Sequence, residues 1–107
     1  MKHLFQPGSN PDAPVLLLLH GTGGTERDLL GIASRIDPTA SRLGVRGNVL
    51  ENGNPRFFRR LAEGVFDEED LVFRTKELVF FLDEAARQYG FARDRMVAIG
   101  YSNGANM

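Results

Sequence analysis

The chain has 107 residues, 42% of them hydrophobic and 25% charged, and its formal net charge is −1. This length suits one small domain, and the charge gives no electrostatic reason to bind nucleic acid or an anionic membrane. The absence of cysteine excludes disulfides and thiolate zinc sites. The longest aliphatic run, residues 15–19, is too short to span a bilayer, and no signal-peptide pattern opens the chain, so we expect a cytoplasmic protein.

The first forty residues predict two strands and a helix. Residues 3–6, HLFQ, indicate a short edge strand that a run of turn-forming residues ends. Residues 14–21, PVLLLLHG, are apolar without alternation, as in a strand buried on both faces. A helix is predicted from about Thr25, with Glu26 and Asp28 in its first turn, and Asp37-Pro38 ends it.

The second half predicts one long helix between two strands. Residues 44–50, GVRGNVL, indicate a buried strand, and residues 51–66 an irregular stretch. A helix is predicted from Asp67, a suitable N-cap, to Tyr89, with Gly90 after it. Residues 96–100, MVAIG, form the last predicted strand, and SNGANM begins another helix. The core stripe of the long helix is Leu71, Thr75, Leu78, Leu82, Ala85 and Tyr89.

Buried strands that alternate with helices predict an α/β fold with a mostly parallel sheet and flanking helices. In such sheets, functional groups gather at the carboxyl ends of the strands. Two glycine-rich loops, HGTGG at residues 20–24 and GYSNG at residues 100–104, each follow a predicted strand. We therefore expect both loops at the same edge of the sheet.

The second loop matches the G-x-S-x-G pattern of a nucleophile elbow, a sharp turn from a strand into a helix. A serine hydroxyl reacts only when it is exposed, aimed and beside a base, and the turn supplies the aim. Gly100 and Gly104 are expected because side chains there would collide with neighbouring backbone. Ser102 is thus the predicted nucleophile. The competing interpretation is that Ser102 only caps a helix.

The backbone N–H groups around this serine are the predicted oxyanion donors. The N–H of Asn103 follows the nucleophile and points toward a bound carbonyl. A second donor is expected from the loop HGTGG, where the Thr22 N–H is the first candidate and the Gly23 N–H the second.

Three other motifs have competing interpretations. GTGGTERD follows a strand, but a dinucleotide fingerprint requires glycine where Glu26 stands, and no P-loop lysine is present. The acidic run at residues 67–70 suits a helix dipole better than a metal. In RFFRR, residues 56–60, two interpretations stay open. Either the loop buries its phenylalanines, or Phe57 or Phe58 shapes a substrate pocket with Arg56 at its rim.

The segments LLLLHGTGG, VRGNVLENGNPRFFRRLAEGVFDEEDL and AIGYSNGAN resemble the carboxylesterase/phospholipase branch of the α/β-hydrolase superfamily. This branch is close to the acyl-protein thioesterases and includes bacterial quinone-stress-type hydrolases. The resemblance implies a serine hydrolase that cleaves small carboxylic esters or thioesters through an acyl-enzyme on Ser102, without a metal or organic cofactor. Asn103 and Thr22 match the oxyanion donors, and NPRFF resembles a segment that lines the acyl side of the pocket.

The sequence departs from this family pattern, in which an aspartate and a histidine follow the serine. The two histidines, His3 and His20, both precede Ser102. We expect His20, beside Gly21, to hold the oxyanion loop by hydrogen bonding, and His3 to be exposed. Residues 1–107 are interpreted as the N-terminal part of one incomplete α/β-hydrolase domain, ending one turn after the elbow and inactive alone.

The alternative is a non-catalytic remnant, or a subunit that needs a second chain. In either case the last strand would have an open edge, so we expect self-association.

Overall fold

The structure is a computed structural model that describes residues 1–62 and 64–107, and its centre is a four-stranded sheet. Over these residues the strands are, in chain order, β1 (His3–Gln6), β2 (Val15–Leu19), β3 (Arg42–Val45), β4 (Val49–Glu51), β5 (Asn54–Arg56), β6 (Arg60–Ala62), β7 (Val65–Phe66) and β8 (Met96–Gly100). The sheet has the order β1-β3-β2-β8, and β4-β5 and β6-β7 form separate hairpins. β2 runs parallel to β3 and β8, whereas β1 is antiparallel to β3. The predicted α/β class is confirmed.

Helices cover both faces of β2, which explains its unbroken apolar run. Helix α1 (Leu30–Ile36) lies on the face of Leu16 and Leu18, and helix α2 (Glu68–Tyr89) on the face of Val15, Leu17 and Leu19. All five residues of β2 are buried. Among the helices that the structure describes, none combines the length and the apolarity needed to cross a bilayer.

Helix α2 has the predicted boundaries. The Asp67 side chain accepts a hydrogen bond from the Asp70 N–H, and Gly90 closes the helix at φ 74°. The N–H of Asp70 and then the Arg59 guanidinium hold the pKa of Asp67 below its usual value, against the effect of desolvation. Of the predicted core stripe, Leu78, Leu82 and Ala85 are buried, while Leu71, Thr75 and Tyr89 are half-buried.

Helix α1 begins at Leu30, not near Thr25, so the predicted start was wrong. Residues 26–29 form turns, and the helix has no acidic residue in its first turn. Glu26 is instead 7% exposed and pairs with Arg46 at the end of β3. Asp28 accepts a hydrogen bond from the Thr25 hydroxyl. Glu26 is therefore engaged by a residue distant in the chain and Asp28 by a near neighbour, and neither lies in the first turn of α1.

The predicted strand at residues 44–50 is two strands, because the chain leaves the sheet after Val45. The Gly47 N–H donates to the ring of His20 instead of a strand partner. The stretch at residues 51–66, of which residue 63 lies outside the described residues, contains the β4-β5 and β6-β7 hairpins. Asn52 and Gly53 make the first turn with φ values of 51° and 81°, a two-residue turn that the Asn-Gly pair favours.

Strand β8 is an edge of the sheet, since its described pairing is with β2 alone. Val97 on this strand is 50% exposed. An open, apolar edge is a template for pairing with another chain, and a lysine on the edge opposes such pairing.

We therefore expect the 107-residue chain to self-associate, and Val97→Lys to shift it toward the monomer in light scattering. Ile36→Lys on α1 introduces the same charge at a site that is 58% exposed and is not on this strand. It should leave the association unchanged. A monodisperse monomer of the unmodified chain would contradict this prediction.

Candidate active site

Ser102 lies directly after β8, in a backbone conformation that is rare for serine. Its φ is 51°, in the left-handed region, and the residue is exposed. The Tyr101 N–H donates to the Leu19 carbonyl at 3.0 Å, which ties the strand end to β2. Ser102–Asn106 then form a 3₁₀ helix rather than the predicted start of an α-helix. A strained strand-to-helix turn that exposes a serine is the context expected of a nucleophile elbow.

Both flanking glycines are required by close backbone approaches. A β-carbon on Gly104 would lie 2.5 Å from the His20 carbonyl oxygen, and one on Gly100 would lie 2.7 Å from the Ala105 Cα. Real β-carbons do not approach backbone atoms so closely. The turn at Ser102 can therefore be this tight only with glycine at both positions.

The loop at residues 20–24 lies against this turn. A β-carbon on Gly21 would lie 3.4 Å from the Ser102 Cβ and 2.9 Å from the Tyr101 ring. The structure thus brings the two glycine-rich loops together at the carboxyl ends of β2 and β8. The Gly23 N–H donates to the Pro55 carbonyl at 2.9 Å, so this second candidate oxyanion donor is already engaged.

His20 is 1% exposed and bonded through both ring nitrogens. Its Nδ1 lies 2.6 Å from the Gly21 carbonyl oxygen, and its Nε2 accepts the Gly47 N–H at 3.0 Å. An acceptor at Nε2 and a donor at Nδ1 describe a neutral ring with no free nitrogen. His20 therefore holds the loop at residues 20–24 against the segment after β3.

His3 is half-buried, so the expectation that it is exposed was wrong. Its Nε2 lies 2.8 Å from the Tyr89 hydroxyl and its Nδ1 lies 2.9 Å from the Met1 carbonyl oxygen. The ring also contacts Phe81 edge-on at 4.9 Å. It joins β1, the edge strand, to the end of α2.

Arg56, at the end of β5, is buried and contacts Thr22 in the loop at residues 20–24. The residue is 3% exposed, and its Nη1 donates to the Thr22 hydroxyl at 2.5 Å. Its Nε donates to the Phe58 carbonyl at 3.0 Å. Burial and then the Arg60 charge lower the pKa of Arg56, while Glu51, 3.6 Å away, opposes them. Arg56 is thus more buried than the rim position that the sequence suggested, and its part in a substrate pocket stays a prediction.

Glu51 pairs with two arginines of its own region, Arg56 and Arg60. Both carboxylate oxygens accept hydrogen bonds from Arg60. These bonds lower the pKa of Glu51, desolvation opposes them, and the charges of Arg60 and Arg56 lower it further. Since Glu51 faces Arg56 and Arg60, it compensates part of the positive charge beside Thr22.

Phe57 and Phe58 lie in the hydrophobic core, 1% and 0% exposed, beside α2. Their burial agrees with the interpretation that the loop packs its phenylalanines, and neither ring is among the residues that line the cleft beside Ser102. The Phe57 N–H donates to the Asn103 side-chain oxygen at 2.7 Å, a contact that the sequence did not suggest. This bond ties the hairpin to the residue after Ser102.

A cleft of about 340 Å³ opens above Ser102 and is large enough for a small organic ligand. Most of its wall consists of polar side chains, and Phe66 contributes an apolar ring. The lining of this cleft includes Thr22, Arg56, Arg60, Phe66, Ser102 and Asn103.

Among the described residues, no group of three or more His, Cys, Asp or Glu side chains could hold a metal ion.

The Glu26–Arg46 pair joins the segment after the loop at residues 20–24 to the segment after β3. Burial alone would raise the pKa of Glu26, but a hydrogen bond from its own backbone N–H and the bond and charge of Arg46 hold it below its usual value. A lowered folded-state pKa stabilises the fold above the unfolded pKa of about 4.3, and this contribution is lost as the pH falls through the folded pKa.

We expect Glu26→Gln to lower the free energy of unfolding at pH 7 by about 1–3 kcal/mol. The difference from the unmodified chain should narrow as the pH falls through the folded-state pKa of Glu26, because the carboxyl is then protonated in both states. Urea unfolding at a series of pH values from 7 downward measures this. A difference that does not change with pH would show that the charge of Glu26 is not responsible.

Comparison with known proteins gives relatives of about twice this length. No family model matches the chain. The Bacillus subtilis protein named “Putative hydrolase MhqD” is 63% identical over 107 residues, which is 100% of this chain and 52% of that protein. The chain therefore spans about half the length of the curated relative that it matches.

Solved structures show the same half-length match. The Bacillus cereus carboxylesterase is 71% identical with a TM-score of 0.96, over 98% of this chain and 50% of its own. A Mesorhizobium loti carboxylesterase is 34% identical with a TM-score of 0.84, over 92% of this chain and 46% of its own. YahD, solved with malic acid, is 38% identical with a TM-score of 0.92, over 97% of this chain and 52% of its own. The resemblance to carboxylesterases that the motifs suggested is confirmed.

Proposed function

We propose that this chain carries the nucleophile and oxyanion donors of a serine carboxylesterase or thioesterase. Its sequence and fold match about half the length of the solved carboxylesterases named above. The single observation that carries the proposal is the backbone of Ser102. It is left-handed, exposed and set between two glycines that admit no β-carbon, and it lies against the loop of Gly21. Residues 1–107 would then be part of one α/β-hydrolase domain.

The proposed reaction begins with attack by the Ser102 oxygen on the carbonyl carbon of an ester or thioester. The hydroxyl proton passes to a base, and the carbonyl electron pair moves onto oxygen. The backbone N–H groups of Asn103 and Thr22 would stabilise this oxyanion. The carbonyl re-forms as the alcohol or thiol departs with a proton from the base, and water then hydrolyses the acyl-enzyme. No metal or organic cofactor takes part.

The base is proposed to come from outside these 107 residues. His20 has no free ring nitrogen, and His3, on the edge strand β1, is bonded to Tyr89 at the end of α2. A histidine and the carboxylate that orients it would be supplied by further chain or by a second subunit. The complete enzyme, meaning this chain together with those residues, is the species to assay, and the 107 residues alone would be inactive.

Labelling with a fluorophosphonate, which reacts with activated serines, tests the proposal. We expect the complete enzyme to be labelled at Ser102, as mapped by peptide mass spectrometry, and the 107-residue chain to react far more slowly. If the chain were a non-catalytic remnant, Ser102 would stay unlabelled both in the 107-residue chain and in the longer protein. Labelling of another residue in the complete enzyme would overturn the assignment of the nucleophile.

A further inference from the structure

We propose that Arg56 is a positioning residue that fixes the Thr22 N–H, through the Thr22 hydroxyl, in the orientation needed to bind an oxyanion. This inference rests on the proposed function, because it concerns the same serine site. Arg56 would not touch the substrate carbonyl itself. It would act on the oxyanion loop from the hairpin of β4 and β5.

The contacts of Arg56 leave its guanidinium little freedom. It is 3% exposed, and two of its nitrogens donate in different directions, to the Thr22 hydroxyl and to the Phe58 carbonyl. The guanidinium is planar, so two anchored nitrogens define the position of the whole group. Phe58 is itself fully buried in the core. The Thr22 hydroxyl is therefore tied to a rigid part of the molecule.

The loop that carries Thr22 needs such an anchor. Gly21 and Gly23 flank Thr22, and Gly23 has a φ of 82°, so the local backbone is intrinsically permissive. Two adjacent residues of the hairpin hold it: the Pro55 carbonyl accepts the Gly23 N–H, and Arg56 donates to the Thr22 hydroxyl. The first contact holds the backbone beyond Thr22, and the second holds its side chain.

Oxyanion donors are sensitive to such placement. Loss of one donor costs about 10² to 10³ in kcat, and a displacement of about 1 Å can cost about 10². Thr22 is exposed and lines the same cleft as Ser102. Removal of the hydroxyl alone would therefore leave the fold intact while freeing the Thr22 N–H to move.

The test compares Thr22→Val with Thr22→Ser in the complete enzyme. Valine keeps the shape and the N–H but removes the oxygen that Arg56 binds, so we expect kcat for p-nitrophenyl acetate to fall by about tenfold to a hundredfold with KM within about twofold. Serine restores the hydroxyl and should recover most of the kcat lost in the valine variant.

Arg56→Met provides a second arm, with Arg59→Met as the matched control. Arg59 is an exposed arginine that pairs with Asp67, so its loss should leave activity unchanged. If Arg56 acts through the Thr22 hydroxyl, the double variant Arg56→Met/Thr22→Val should lose no more kcat than the worse single variant. If Arg56→Met does not fold, the comparison of Thr22→Val with Thr22→Ser still tests the inference.

The outcomes separate this inference from the proposed function. An enzyme that hydrolyses esters with Ser102 replaced would overturn the proposed function. An enzyme that depends on Ser102 but keeps its kcat in Thr22→Val would overturn the positioning role alone. Additive losses in the double variant would also overturn it, since the two residues would then act separately.

Discussion

Replacement of Ser102 by alanine is expected to lower the kcat of the complete enzyme for p-nitrophenyl acetate by a factor on the order of 10⁴ to 10⁶. Alanine has no oxygen to form the acyl-enzyme, while the oxyanion donors and the cleft remain. Because these groups still bind the ester, KM should change little. Steady-state kinetics, with a thermal melt of each variant, measure both quantities.

Two further variants make this prediction specific. Ser102→Gly should be as inactive as the alanine variant but more stable than it, by about 1 kcal/mol, because glycine adopts a φ of 51° without strain. Ser9→Ala removes a hydroxyl from an exposed residue in the turn after β1 and should keep full activity. Ester turnover by Ser102→Ala at the unmodified rate would contradict the serine mechanism.

Replacement of Gly104 by alanine is expected to reduce the free energy of unfolding by about 3 kcal/mol or more, enough to unfold a marginal domain. The added β-carbon would lie 2.5 Å from the His20 carbonyl oxygen. Nothing flexible is there to move, because the atoms it meets are backbone of the chain leaving β2. Chemical denaturation measures the loss.

Gly31→Ala is the matched control for this substitution. A β-carbon on Gly31 would meet no atom within 4 Å, and the residue lies inside α1. Alanine favours the helix over glycine by about 0.5–1 kcal/mol, so this variant should be slightly more stable than the unmodified chain. If both alanine variants had the same stability, the close backbone approach at Gly104 would not be the cause of any loss of stability in Gly104→Ala.

Local patterns in the sequence were sufficient to predict the strand and the helix whose surroundings are uniform along their length. β2 is apolar throughout because helices cover both faces, and α2 has an N-cap at Asp67 and a left-handed residue at Gly90, each defined by near neighbours. The tight turn at Ser102 was also predictable, since glycine spacing records a steric requirement. Its short 3₁₀ continuation was not.

The contacts that the sequence did not reveal join residues far apart in the chain. Glu26 lies where the sequence predicted a first helical turn, but its buried carboxylate pairs with Arg46, the half-buried residue that follows β3. Phe57 and Phe58 could have lined a cleft or filled the core, and only the position of α2 decides between these. The Asn52-Gly53 turn was different, since the dipeptide is a hairpin signal that could have been used.

The pairing of β2 with β8 has a consequence for the order in which the molecule is built. Val15 pairs with Met96, 81 positions later in the chain, whereas the hairpin of β4 and β5 closes through the two residues Asn52 and Gly53. Local contacts form in microseconds, while contacts between distant segments are slow because the chain must first lose loop entropy. We therefore expect the hairpin that contacts Thr22 to form before β8 docks on β2, and Ser102, which follows β8, to be among the last residues to reach its place.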